Sequence, residues 1–186
     1  MLSRIKPITT ELVAPFASLL AKAGLRPNHL TILGLFFGFL AAYFIVESKI
    51  LIAALFVLLS SICDLLDGAM ARNEEMVTEF GGFLDSVIDR YVDVLLFAAL
   101  GIYGVNWVVV VAAMSGALLV SYTRARAEKV IEKCDVGVAE RGERLLILLA
   151  GMLSGYLYLA VLIIAVLSHI TALHRILHTY LQLRTT

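Results

Sequence analysis

Four aspartates stand inside an almost continuous apolar chain, in two tight pairs: Asp64 with Asp67, and Asp85 with Asp89. At spacings of three and four residues, each pair projects from one face of its own helix. A charged side chain deep in a bilayer costs roughly 2.5–3.5 kcal/mol on insertion scales, so four such acids need cations beside them. Arg72 and Arg90 are the only bases close by in sequence, and pairing that merely held helices together would leave two acids unanswered. The pattern points to a metal site where two helices cross.

The surroundings of these acids exclude an ordinary soluble domain. Of 186 residues, 61% are hydrophobic and 16% charged, and the mean hydropathy is +0.93. The expected fold class is an all-α integral membrane protein, built as a single domain over 1–186. Apolar stretches long enough to cross about 30 Å of hydrocarbon need ~20 residues. They read as 29–47, 51–72, 80–103, 106–127, 136–154 and 155–180. This makes a six-helix bundle over 27–182, with the last third split at Gly151, Ser154 and Gly155. Ahead of it, 1–26 reads as a juxtamembrane surface helix rather than a signal peptide. Glu11 and Pro15 interrupt its apolar run, while Ile5, Ile8, Leu12, Phe16 and Leu19 recur at three or four.

Six spans put every one of the 15 Lys and Arg residues except Lys49 on or near one side, with Arg90 inside the bundle close to it. By the positive-inside rule that side is cytoplasmic, so the chain is expected in the cell membrane with its acids facing the cytoplasm. A net charge of zero without any Lys/Arg-rich run argues against a nucleic-acid partner. Cys63 and Cys134 have no metal-ligand or framework spacing and read as packing thiols.

Carboxylates without His or Cys suit Mg²⁺, Mn²⁺ or Ca²⁺ rather than zinc or copper. Four of them exceed what one Mg²⁺ takes from protein, and a pair of ions suits displacement at phosphorus. Gly68 removes a side chain beside Asp67, Ala71 continues the small face, and Arg72 offers a planar fork for phosphate oxygens.

The segment Asp64-x-x-Asp67-Gly68-x-x-Ala71-Arg72, followed after eight residues by Gly81-x-x-x-Asp85-x-x-x-Asp89, resembles the complete signature of the CDP-alcohol phosphotransferase family. Pro27-Asn28-His29-Leu30-Thr31 is similar to that family's segment at the start of the first span. The resemblance implies a homodimer in the lipid bilayer that uses a CDP-linked lipid as donor. Asp64, Asp67 and Asp85, with help from Asp89, would hold two divalent cations, Mg²⁺ or Mn²⁺, at its diphosphate. Asp89 would be the general base. Asn28, Thr31, Asp67, Gly68, Ala71, Arg72 and Gly81 would bind the CDP moiety.

Arg124, Arg126, Arg141 and Arg144 lie at the cytoplasmic ends of the fourth and fifth expected spans, with Arg175 in the sixth. So many cations around one cavity suit a phosphorylated polyol better than glycerol, serine or ethanolamine. The stretches 121–128 and 135–144, with Asp85-Ser86-x-x-Asp89-Arg90, resemble the branch of the family that makes phosphoinositol-phosphate lipids in bacteria and archaea. Through that resemblance Arg124, Arg126, Arg144 and Arg175 are expected to hold the phosphate of inositol 1-phosphate, although Arg124 stands where bacterial members tend to carry Lys. A glycerol 3-phosphate acceptor is the alternative within the family. A cation transporter or channel is the alternative outside it, weakened because no ladder of acids continues across the bundle.

Other residues read more plainly. Glu128, Glu132 and Asp135 are expected to balance Lys129 and Lys133. Asp93 is expected to extend a polar network or neutralise Arg90 rather than bind metal. His174 and His178, four apart but without a third ligand, read as interfacial polar residues. Trp107, Tyr156 and Tyr158 sit near expected span ends, where aromatic belts form.

Overall fold

The computed structural model describes residues 6–185, with side chains over 13–184. Among the described residues every regular element is a helix: α1 Lys6–Lys22, α2 Pro27–Val46, α3 Ile50–Asn73, α4 Glu79–Tyr103, α5 Trp107–Ala127, α6 Arg141–Ser154 and α7 Leu157–Thr185. Four are long and apolar enough to cross a membrane: Pro27–Val46, Ile50–Asn73, Trp107–Ala127 and Leu157–Arg184. The other two expected spans differ for separate reasons. With 25 residues, α4 reaches roughly 37 Å at 1.5 Å per residue, but it carries Asp85, Asp89, Arg90 and Asp93. With 14 residues, α6 reaches only about 21 Å.

The expected helix over 136–154 is therefore corrected: it starts at Arg141. The reason lies in Val136 to Glu140, whose backbone is served by side chains of α7 instead of a helical ladder. The amides of Val138 and Ala139 both donate to Thr171 Oγ1, each at 3.1 Å. Arg175 Nε donates to the Val136 carbonyl at 2.8 Å. Gly137 has φ +132°, and a Cβ there would collide with Thr171 Cγ2. Because buried backbone groups must find partners, this irregular segment is fixed once α7 lies beside it.

The contacts divide the chain into two compact units whose boundary falls inside α4, between Ala99 and Leu100. In the first unit, α2 packs along α3 at close range. Ser60 Oγ donates to the Gly34 carbonyl at 2.8 Å, and a Cβ on Gly34 would stand 3.3 Å from that of Cys63. One turn on, a Cβ on Gly38 would stand 2.8 Å from Val92 of α4. Small residues at this spacing allow helices to approach closely within lipid. The opposite face of α2 turns Ile32, Phe36, Phe39 and Tyr43 outward, as a helix in hydrocarbon does. Ala17 of α1 packs with Leu30, Ala69 and Met70, joined by Val13, Leu20, Ala21, Leu25 and Leu66. Phe16 and Leu19 of the expected surface stripe face outward. Ile5 lies outside the described residues, as do the side chains of Ile8 and Leu12.

Two turns fix the helix ends around the acids. After α1, Gly24 at φ +86° lets the amides of Gly24 and Leu25 reach the carbonyls of Ala21 and Leu20 at 2.9 and 3.1 Å, which is the Schellman arrangement. After α3 the same geometry is built with Glu75 at φ +53°, and the Met76 amide reaches the Ala71 carbonyl at 2.9 Å.

In the second unit α7 packs against both α5 and α6. The break expected at Gly151–Gly155 is a helix–helix turn with Gly155 at φ +80°. Gly151 gives the two helices room, since a Cβ there would collide with that of Ala160. Along α5, His169 Nε2 of α7 lies 3.1 Å from the Ala112 carbonyl. Cys63 and Cys134 are both buried and free.

Candidate active site

The helical spacing of Asp64 and Asp67 on α3, and the place of Asp85 two turns into α4, bring three carboxylates together. One oxygen from each lies within 4.8 Å of the others. An ion with oxygen ligands at about 2.0–2.6 Å holds them no more than about 4–5 Å apart, so the triad fits one divalent cation. Its all-oxygen donor set suits a hard ion. Asp67 is buried, while Asp64 and Asp85 are half-buried. Asp89, one turn beyond Asp85, is not part of this triad. Its Oδ2 accepts from Arg90 Nη1 at 3.4 Å, and the same nitrogen donates to the Ser86 carbonyl at 2.7 Å. Asp93 is buried, one further turn along and outside the triad.

The flanking motif residues gather around the triad. Thr31, buried in the first turns of α2, has its Oγ1 2.6 Å from Asp67 Oδ2. Asn28, one turn earlier, approaches α4: a Cβ on Gly81 would stand 3.1 Å from Asn28 Oδ1 and 2.8 Å from Thr78 Oγ1. Glycine at position 81 is thus what allows the start of α2 to meet the start of α4. The space over Gly68 is taken by Arg72, whose guanidinium nitrogens Nη1 and Nη2 would lie 3.3 and 3.5 Å from a Cβ there. Thr78 was not singled out from the sequence. Its hydroxyl caps α4 by accepting from the Gly81 amide at 3.0 Å, and a Thr just before a helical run is the signal that marks it.

The arginines of the second unit have a different character. Arg124 donates to Glu128 at 2.9 Å, Asp135 at 2.7 Å and Glu140 at 3.4 Å. Glu128 therefore serves Arg124 through an i,i+4 pair rather than balancing Lys129. Asp135 also pairs with Lys133, and that hydrogen bond, with the charge behind it, raises the Lys133 ammonium above its ordinary pKa. Arg175 is 1% exposed. It donates to the carbonyls of Val120 and Val136, at 2.5 and 2.8 Å, and to Glu140 at 3.0 Å. A direct bond from Arg175 to a phosphate requires exchanging one of these partners or using its remaining protons. Arg144, also buried, donates to the Ala139 carbonyl at 3.0 Å, and Arg126 is exposed. Glu140, shared by Arg124 and Arg175, and Thr171 were missed because their partners lie on elements distant in sequence.

A membrane-embedded helical chain with a carboxylate triad flanked by Thr31, Asn28 and Arg72 defines a class, and the comparisons agree. Residues 25–179 match the model of the CDP-alcohol phosphatidyltransferase family, and the chain belongs to that family. It is 38% identical to the archaetidylinositol phosphate synthase of Pyrococcus horikoshii over 179 residues, covering 95% of each chain. It is also similar to the phosphatidylinositol phosphate synthase of Mycobacterium tuberculosis. The crystal structure of that enzyme with CDP-DAG bound superposes with a TM-score of 0.80 at 32% identity, over 91% of this chain and 93% of the other. A second structure of the same enzyme, in complex with manganese and citrate, gives 0.79 at 32% identity, over 90% and 88%.

Proposed function

We propose that the chain transfers the phosphatidyl-type group of a CDP-linked lipid, CDP-diacylglycerol or CDP-archaeol, to inositol 1-phosphate and releases CMP. The observation that carries this reading is the convergence of Asp64, Asp67 and Asp85 beside Thr31. The inositol-phosphate synthases among its relatives support the acceptor. The enzyme works as a homodimer with six membrane crossings, its site facing the cytoplasm of the cell membrane.

Asp64, Asp67 and Asp85, with Asp89, would hold two divalent cations, Mg²⁺ or Mn²⁺. When bound, these neutralise the diphosphate and stabilise the charge that develops on the departing phosphate. Asn28, Thr31, Gly68, Ala71, Arg72 and Gly81 shape the CDP side, with Arg72 offering its fork to a phosphate oxygen. Because CMP leaves with its own phosphate, the bond that breaks joins the bridging oxygen to the lipid-side phosphorus. The bond that forms joins that phosphorus to the acceptor oxygen. Asp89 takes the hydroxyl proton, as a carboxylate at the edge of the triad can. Arg124, Arg126 and Arg144 hold the acceptor's phosphate, and Arg175 serves the same pocket chiefly by bracing Glu140 and Val136.

The test is CMP release by purified protein with a CDP-lipid and Mg²⁺, offering inositol 1-phosphate, glycerol 3-phosphate and free inositol separately. Release with inositol 1-phosphate alone is expected. Release with glycerol 3-phosphate instead would keep the donor reaction and overturn the acceptor.

A further inference from the structure

Thr31 places a hydroxyl against a candidate metal ligand from a helix that contributes no carboxylate of its own. Its Oγ1 has two acceptors within reach, Asp67 Oδ2 at 2.6 Å and the Pro27 carbonyl at 3.1 Å, but only one proton to give. The shorter distance lies in the range of hydroxyl bonds to an ionised carboxylate, about 2.5–2.7 Å, so the proton goes to Asp67. The longer contact has a separate meaning. A helical Thr divides between two χ1 rotamers, one of which brings Oγ1 close to the carbonyl of the preceding turn. Proximity to Pro27 marks that rotamer, and it aims the hydroxyl across to α3. Thr31 is 5% exposed and Asp67 equally so, so little water competes for either end of the bond.

The position of α2 is itself tightly set. Gly34, three residues on, lies against Cys63 on α3, and Ser60 bonds the Gly34 carbonyl. Thr31 is therefore a fixed donor on a closely packed helix, and Asp67 is the carboxylate it holds.

We propose that Thr31 is a positioning residue for the divalent-cation site. Its hydroxyl fixes the Asp67 carboxylate so that the remaining lone pairs face Asp64 and Asp85, a role added to its place on the CDP side of the site. This rests on reading the triad as a metal site. It deepens that reading by assigning the hydroxyl of the segment at the start of α2 to the metal. Partners that orient a ligating group typically account for 10–100-fold in metal affinity.

The experiment compares Thr31→Val, which keeps the shape and removes the donor, with Thr31→Ser, which keeps the donor. Mn²⁺ binding is read by electron paramagnetic resonance on the full chain in detergent, with neither nucleotide nor lipid substrate. Thr31→Val is expected to weaken Mn²⁺ binding about 10–100-fold, and Thr31→Ser to stay within about threefold of the parent. At saturating Mn²⁺ the donor KM of Thr31→Val should return toward the parent value. Parent-like Mn²⁺ affinity in Thr31→Val, or equal weakening in both variants, overturns the proposal. Should Thr31→Val not fold, Thr31→Ala carries the same expectation. A parent protein that binds Mn²⁺ no better than Asp67→Asn would instead remove the metal reading of the triad, a distinguishable failure.

Discussion

The acidic triad and the arginine cluster handle clustered charge in different ways. Around Asp64, Asp67 and Asp85 the fold gathers like charges, with oxygens within 4.8 Å of one another. Two unit charges at about 4 Å repel by about 4 kcal/mol at an effective dielectric of 20, so such a gathering favours a positive charge close to all three. Around Arg124 and Arg175 the fold supplies the counter-charge itself, through Glu128, Asp135 and Glu140. That cluster is braced without any ligand. The first region is thus a cluster of acids whose spacing fits a divalent cation, whereas the second is a network in which cations and acids brace one another.

Substitutions that separate binding from chemistry test the contrast most severely. Asp67→Asn is expected to abolish CMP release and to weaken Mn²⁺ binding about 100-fold or more. Asp89→Asn should lower turnover by about 10²–10⁴-fold, the usual contribution of a general base, while the tighter Mn²⁺ site changes less than about threefold. Equal loss of Mn²⁺ in both variants would place Asp89 among the ligands of the tight site and end the distinction between the two roles.

In the arginine cluster the largest expected effect is on stability. Arg175→Met removes the donor to Val120, Val136 and Glu140. It should lower unfolding stability by roughly 3–5 kcal/mol, the usual cost of breaking a buried pair, as read from denaturation in detergent. An unchanged midpoint would show that the cluster is not a brace. Arg126→Ala, at an exposed position, is expected to raise the acceptor KM about tenfold, roughly 1.4 kcal/mol, with kcat and donor KM little changed. A parent-like acceptor KM would remove Arg126 from the pocket. The smallest effect concerns the turn between the acid-bearing helices. Glu75→Gly relieves a left-handed backbone at φ +53° and should stabilise the fold by about 1 kcal/mol without altering kcat, whereas destabilisation would mean that the Glu75 side chain holds the turn.

The two regions also differed in how much of them the sequence disclosed. The acids were legible because helical periodicity is local: spacings of three and four fix which side chains share a face before any tertiary contact is known. The turn at Gly155 was legible for another reason: a break at Gly151, Ser154 and Gly155 leaves Arg175 and Arg184 on the side of the other basic residues. The segment from Val136 to Glu140 was not, because Val136, Val138 and Ala139 continue the apolar pattern into α6 and read as one helix. What breaks the helix is a set of partners on α7, Thr171 and Arg175, 32 to 39 residues away. No local pattern encodes those contacts. Nor could spacing separate Asp85 from Asp89, since both lie on the same face of α4 and only the crossing with α3 selects the first for the triad.

The dependence of residues 136–140 on α7 bears on how the chain is made. As it leaves the ribosome, the amides of Val138 and Ala139 and the carbonyl of Val136 emerge well before the hydroxyl and guanidinium that satisfy them. Until α7 arrives, those three backbone groups lack the partners they hold in the finished fold. The segment therefore takes its final conformation only after α7 has been made, and a chain arrested before Thr171 would leave the approach to α6 unfixed.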